Sequence, residues 1–384
     1  MVKTSDFVLA PYMQRSDRRA TTQILNTVLP YAGLWVLAAK AASISPWLLP
    51  PIVALMVLFL LRCFSLMHDC GHYSLFRSKR VNRGVGFGLA VINSIPQYAW
   101  SRDHAYHHKT NGDWQRYRGI ADFLSTEEFA QLSALDQKLY GLLRQPIMTL
   151  PGGFFYLVIQ PRLTLALGIF EFIGHGLTHL KTDGVRNLRM MISAHRSNYW
   201  KTKAEFWDVL LNNVFVVASW MILSQVMGPG LFWSLYATVM TLAGAIFICV
   251  FFVQHNFAGA YAHSTADWDY VRGAIEGSSY LDLPPLLKWF TADIGYHPIH
   301  HLSEKIPNYN LAACYQANHH LLSQVTTLRL GDLLHCAQFI LWDAATNQLV
   351  PIPTKPAVLR PERSSQMVGS AHPTARKLMH KGRI

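Results

Sequence analysis

Four apolar runs, each about 20 residues long, fix what this chain can become. They cover residues 24–44, 47–67, 208–227 and 231–254. A helix needs roughly 20 such residues to cross the hydrocarbon core of a bilayer. Ser45-Pro46 joins the first two runs and Gly228-Pro229-Gly230 joins the second two, so the pattern predicts two tight helical hairpins. Composition agrees: 51% of the 384 residues are hydrophobic and only 15% are charged, where soluble domains carry roughly 25%. The expected fold class is an all-α integral membrane protein with four transmembrane helices. Residues 24–350 form its single domain. Residues 1–23 are a polar segment without the apolar stretch of a cleavable signal peptide. Residues 351–384 are rich in Pro, Ser, Lys and Arg and short of large apolar groups, which predicts a disordered basic tail.

Two shorter runs need separate treatment. Val85 to Ile95 is too short to span and reads as interfacial or re-entrant. Residues 152–173 are long enough, but Gln160-Pro161-Arg162 interrupts them. A span there would put Lys181, Arg186, Arg189, Arg196, Lys201 and Lys203 opposite Arg77, Lys79, Arg80 and Arg83, against the excess of basic residues on the cytoplasmic side. This stretch is therefore expected in the interface, bent or paired. With four spans, Lys40 is the one residue among 34 Lys and Arg on the outer side, and it can snorkel. Both termini and the loops then face the cytoplasm. The net charge of +12 suits anionic lipid headgroups. It would also suit nucleic acid, but no nucleic-acid motif is present and no such partner is expected. No transit or retention signal is visible, which favours a bacterial inner membrane. The five cysteines, Cys63, Cys70, Cys249, Cys314 and Cys336, include no CxxC pair, and their odd number argues against a disulfide framework.

Three histidine clusters carry the chemistry: His68-Asp-Cys-Gly-His72, His104-Ala-Tyr-His107-His108 and His297-Pro-Ile-His300-His301. Positions i, i+3 and i+4 share a helix face, so each cluster can aim its rings at one spot. Pro298 suits a first helical turn, so 297–301 is expected to open a helix. Neutral imidazole is the commonest metal ligand. Eight such rings exceed the four ligands of a structural zinc site and suit two ions. The four-span topology delivers His68 and His72 from the end of the second helix and His255 from the end of the fourth. Transport sites lie near the membrane midplane, whereas these histidines lie at helix ends and in loops, so a transporter is not expected. An all-nitrogen dinuclear site beside a bilayer points to iron activating O2 against an unreactive C–H bond of a lipid.

The same stretches resemble the three histidine boxes of the membrane fatty acid desaturases. The similarity extends through His68 to Phe76, through Gln254-His255-Asn256-Phe257 and Asp267-Trp268-Asp269-Tyr270-Val271-Arg272-Gly273, and through Ile294 to Asn310. It covers roughly residues 25–345 and is nearest to the acyl-lipid desaturases of Δ12 (omega-6) type. The resemblance implies a helical cytosolic cap over a diiron site. It implies nine ligands: His68, His72, His104, His107, His108, His255, His297, His300 and His301. It further implies two iron ions, O2 as co-substrate, and a membrane-lipid acyl chain that gains a cis double bond. The electron donor would be a separate ferredoxin or cytochrome b5-like protein, because Pro151-Gly152-Gly153 lacks the preceding histidine of a fused haem domain. Hydroxylases and ketolases of lipids, carotenoids or alkanes can use the same cluster and remain the alternative.

Ligand histidines usually donate their second N–H to a carboxylate or carbonyl. Asp69, Asp103, Asp113 and Asp293 lie near the boxes and are the candidates. His175 and His179 are four apart and could form a further metal site, though the polar edge of an interfacial helix is the simpler reading. His195, His263, His319, His320 and His335 read as structural, His263 being the first exception to test. Cys70 reads as a packing residue rather than a thiolate ligand, and Trp114, Trp268 and Trp289 as an aromatic belt. Residues 258–263 and Gly174-His-Gly-Leu-Thr-His179 depart from the family pattern and bear on substrate and outcome, not on the ligands.

Overall fold

The computed structural model describes residues 2–116, 123–184, 191–192 and 195–353. Arg186, Arg189 and the expected tail beyond residue 353 lie outside these. The scaffold is helical. Helices α1 (Asp17–Ile44) and α2 (Leu49–Gly71) form the first hairpin, turning through Ser45 and a 3-10 turn at Pro46–Leu48. Ser16 caps α1 by accepting from the Arg19 N–H. Then come α3 (Lys79–Ile92) and α4 (Gln97–Thr110). Three short helices follow: α5 (Thr126–Ala130), α6 (Ala134–Leu143) and α7 (Thr149–Phe154). A π turn at Phe155–Ile159 leads into α8 (Gln160–Asp183). The second hairpin is α9 (Lys203–Met227) and α10 (Pro229–Val253), with the positive-φ Gly228 at its turn. The cap contains α11 (Tyr270–Ile275), α12 (Pro285–Phe290), α13 (His297–Leu302), α14 (Asn308–Ala317) and α15 (Leu333–Cys336).

Two features correct the sequence reading. The expectation of an all-α chain misses two small sheets. Residues Leu124–Ser125, Leu341–Asp343 and Gln348–Val350 form one, and Tyr280–Leu281 with Thr327–Leu328 form the other. Strands of two or three residues carry no readable alternation, so periodicity could not announce them. The second correction concerns Gln160-Pro161-Arg162, which does not break the helix. The π turn widens the coil just ahead of Pro161, and its loosened carbonyls find other donors. Arg162 donates to the Leu157 and Val158 carbonyls, and the Asn213 side chain donates to the Pro161 carbonyl. As a result five helical segments among the described residues are long and apolar enough to cross a membrane: 17–44, 46–71, 146–182, 203–227 and 229–253.

Helices α2 and α10 are the most buried of these and form the centre. Phe64, Met67, Phe247 and Phe251 pack between them in the main apolar core. Helix α7 lies backbone to backbone on α10, because Gly153 faces Gly244: a Cβ on Gly244 would fall 2.7 Å from the Gly153 carbonyl carbon. The polar N-terminal segment docks onto the cap. Asn318 accepts from the Val8 N–H at 2.7 Å and donates to the Val8 carbonyl at 3.1 Å. Phe7 and Leu9 then enter an apolar cluster with Tyr296, Ile299 and Leu302, which surrounds α13.

Candidate metal centre

All nine expected histidines converge. The last turn of α2 supplies His68, and its C-cap residue is His72. One face of α4 supplies His104, His107 and His108, and α13 supplies His297, His300 and His301. Pro298 sits in the first turn of α13, as its fixed φ favours. His255 follows directly after the end of α10. The rings divide into two groups whose ligand atoms lie within 4.8 Å of one another: His68, His72, His104, His108 and His300, and beside them His107, His255, His297 and His301.

The spacing is one that ligands of a shared ion adopt. His104 Nε2 lies 2.9 Å from His68 Nε2 and 3.0 Å from His108 Nε2. His255 Nε2 lies 3.0 Å from both His107 Nε2 and His297 Nε2. Bonds of roughly 2.1 Å at right angles separate neighbouring ligand atoms by about 3.0 Å. The outer nitrogens fix the tautomers. His255 Nδ1 lies 2.9 Å from the Gly277 carbonyl, which can only accept, so Nε2 keeps its lone pair. His68 Nδ1 lies 3.1 Å from Asp69 Oδ1, and His72 Nδ1 lies 3.1 Å from Glu304 Oε2. Lone pairs therefore point inward from several rings at once. His72 Nε2 and both ring nitrogens of His300 are buried without a hydrogen-bond partner. Buried polar atoms are seldom left so, and cations within each group would satisfy them.

Burial keeps the rings in the ligand form. Desolvation, with neighbouring imidazoles adding, pushes His104, His108, His297, His300 and His301 well below the ordinary imidazole value. Desolvation lowers His255 to about 4. A neutral imidazole is what a metal binds.

Of the four carboxylates expected beside the ligands, Asp69 alone touches one among the described residues. It accepts from His68 and, through its other oxygen, from the Asn308 backbone and side-chain N–H groups at 2.8 and 2.9 Å. Asp103 pairs with Arg102 at the surface. Asp113 is buried, but it receives Arg116 and the Thr265 hydroxyl. Asp293 occupies a positive-φ position in the turn after α12. Sequence reasoning missed Glu304 and the Gly277 carbonyl. Neither had a local signal: Glu304 reaches His72, far from it in the chain, and the carbonyl is backbone.

Among the described residues the other histidines stay outside both groups. The His175 ring lies 5.0 Å from that of His195. His263 stacks on Tyr261 and pairs through its backbone with Gly112 and Trp114. Cys70 is buried and free, in neither group. Trp114 stacks on Trp342, and Trp268 donates to the Asn111 carbonyl, so both belong to the cap rather than to a belt. Trp289 lies under the buried Arg62, 3.8 Å from its guanidinium carbon.

Comparison with known proteins places this geometry. The family model described as fatty acid desaturase matches residues 43–330. A protein named fatty acid desaturase from Bacillus subtilis (strain 168) is 31% identical over 345 residues, 89% of this chain and 88% of its own. An sn-1 oleoyl-lipid 12-desaturase from Anabaena variabilis is 24% identical, covering 79% of this chain and 77% of its own. An sn-1 acyl-lipid omega-3 desaturase (ferredoxin) from Nostoc sp. (strain 36) is 25% identical, covering 82% and 77%.

Proposed function

Because this chain belongs to the fatty acid desaturase family of oxidoreductases, we propose that it inserts a cis double bond into a membrane-lipid acyl chain at the Δ12 (omega-6) position. The observation that carries the reading is the convergence of nine imidazoles in two adjoining groups. Two irons held there would supply the oxidising power to take one hydrogen from each of two adjacent methylenes, with O2 reduced to two waters by two electrons and two protons from outside. His68, His72, His104, His108 and His300 would hold one ion, and His107, His255, His297 and His301 the other. Asp69, Glu304 and the Gly277 carbonyl hold three of these rings in their donating orientation.

Phe251 lies against both groups, its ring centre within 6.2 Å of His68, His104 and His297. With Phe64, Phe247 and Trp100 it makes an apolar floor that keeps water from a methylene held at the metals. The oleoyl-lipid 12-desaturase of Anabaena supports the regiochemistry, and the ferredoxin-linked relative supports a separate ferredoxin or cytochrome b5-like donor. Four crossings are the topology proposed, with the metal groups, cap and termini on the cytoplasmic side of a bacterial inner membrane. Residues 146–182 dip in and return: Arg162 meets Asn212 and Asn213 in the third turn of α9, whereas Glu171 meets Ser197 and Asn198 ahead of its first.

The test is a fatty-acid methyl ester profile by gas chromatography–mass spectrometry. The host makes only monounsaturated chains and supplies a donor, and His300→Ala is the control. A diene absent from the control, with its new bond at position 12, is expected. An oxygenated product would move the assignment to a hydroxylase, and a diene at another position would move the regiochemistry.

A further inference from the structure

The reading above requires electrons from a separate carrier but leaves open where that carrier docks. One ligand reaches toward the surface through a single side chain. His72 Nδ1 is hydrogen-bonded to Glu304, whose side chain is 36% exposed while the His72 side chain is 3% exposed. Two cations stand beside this point. Lys305 adjoins Glu304 in the chain, Lys109 adjoins the ligand His108, and both act electrostatically on the Glu304 carboxylate. Both lysines are exposed. Tyr73, next to His72, carries two more: the Arg83 guanidinium carbon lies 5.7 Å and the Lys79 ammonium 6.0 Å from its ring centre. Tyr106, one turn before Lys109, is exposed and offers an aromatic face at the same edge. His72 and His104 are each 9% exposed, the most of the nine, and of the two His72 is the one bonded to a half-exposed carboxylate.

We propose that the surface around Glu304, flanked by Lys109 and Lys305, is the docking face for an acidic one-electron carrier protein. This rests on the desaturase reading. Electron tunnelling weakens steeply with distance, so a carrier must dock where a ligand comes nearest to solvent. Cations flanking that point steer an acidic partner and fix its register. Each encounter would deliver one electron from the carrier, so two encounters would supply the two electrons of one turnover. Glu304 holds His72 in place, and Lys109 and Lys305 provide the attraction.

The experiment uses full-length, iron-loaded protein in detergent and an acidic plant-type ferredoxin as the probe. The binding constant is measured at low and at high salt for three proteins: unmodified, Lys109→Glu/Lys305→Glu, and Lys3→Glu/Lys138→Glu, which carries the same charge change on exposed lysines elsewhere. Iron content checks that each is folded. The first double variant is expected to bind about ten-fold more weakly at low salt and to lose most of its salt dependence, with the control within about two-fold. The rate of ferredoxin oxidation, divided by the rate of reduction by dithionite on the same sample, should fall in parallel. Equal weakening in both double variants would reduce the effect to net charge and overturn the proposal. Unchanged binding in the first would move docking to another face. The desaturase reading is judged separately, by whether dithionite-reduced protein with O2 and lipid yields a diene, an outcome that ferredoxin affinity does not decide.

Discussion

Asp69 illustrates how much of the metal centre depends on groups that never touch a metal. Its carboxylate is buried between His68 and the start of α14, accepting from the ring of one and from two N–H groups of Asn308. Asp69→Asn keeps the shape but turns one acceptor into a donor, so it must face either the Asn308 N–H groups or the His68 ring with the wrong polarity. Iron affinity is expected to fall about 10–100-fold, read by titrating loaded protein with a chelator and counting residual iron; an unchanged curve would show the carboxylate to be incidental. The two groups also predict unequal losses. His255→Ala leaves three rings in its group and His300→Ala leaves four in the other. The His255 variant is expected to retain about one iron per chain after dialysis, while the His300 variant retains more, as elemental analysis would report. At this scale the sequence was legible wherever spacing encodes a helix face: the eight rings of the three clusters converge, and His255, expected from the end of its helix and from the family resemblance, joins them. It was not legible for Glu304, because what matters there is the fold bringing the residue after α13 back to the end of α2. Asp103 failed for the opposite reason: adjacency to His104 in the chain puts it on a different helix face, where Arg102 takes it.

Helices set where the rings can go, and two polar contacts and one bare seam hold them. Asp208 of α9 accepts from the Tyr98 and Ala99 N–H groups, capping the start of α4, while Arg102 of α4 pairs with the buried Glu205. The second hairpin thereby fixes the helix that carries three ligands. The seam is Gly153 on Gly244, where neither residue can carry a side chain without pushing α7 off α10. Gly244→Val is expected to destabilise the protein by about 1–3 kcal/mol, seen as a lower melting temperature in detergent. Gly33, whose Cβ would meet nothing within 4 Å, should accept Ala with no such loss. The long spans were legible because length and apolarity alone announce them. The helix through Pro161 was not. A proline reads as a break, and what rescues it is Arg162 and Asn213 supplying donors to carbonyls on a neighbouring stretch. That compensation is tertiary, and no local pattern records it.

The whole molecule constrains its own topology by parity. His68 leaves with α2 and His255 with α10, yet they belong to one cluster: His68 is 4.8 Å ring to ring from His104, and His107 of the same helix is 4.6 Å from His255. Both helix ends must therefore emerge on the same side of the membrane. Between them α9 and α10 cross twice. A crossing by residues 146–182 would make the number odd and set His255 a bilayer thickness away from His68, roughly 30 Å. Length and hydropathy allow that segment to span; the four-crossing topology proposed above has it return instead, a reading supported by the contacts of Glu171 with Ser197 and Asn198. Single cysteines at the exposed Lys40, Lys181 and Lys203 test this directly, since the native cysteines are buried or half-buried. In intact cells a membrane-impermeant maleimide should label Lys40→Cys alone, with Lys181→Cys and Lys203→Cys labelled only after permeabilisation. Labelling of Lys181→Cys from outside would require the chain to return through the membrane before Lys203, a sixth crossing through a stretch that carries Arg186, Arg189, Arg196 and Lys201.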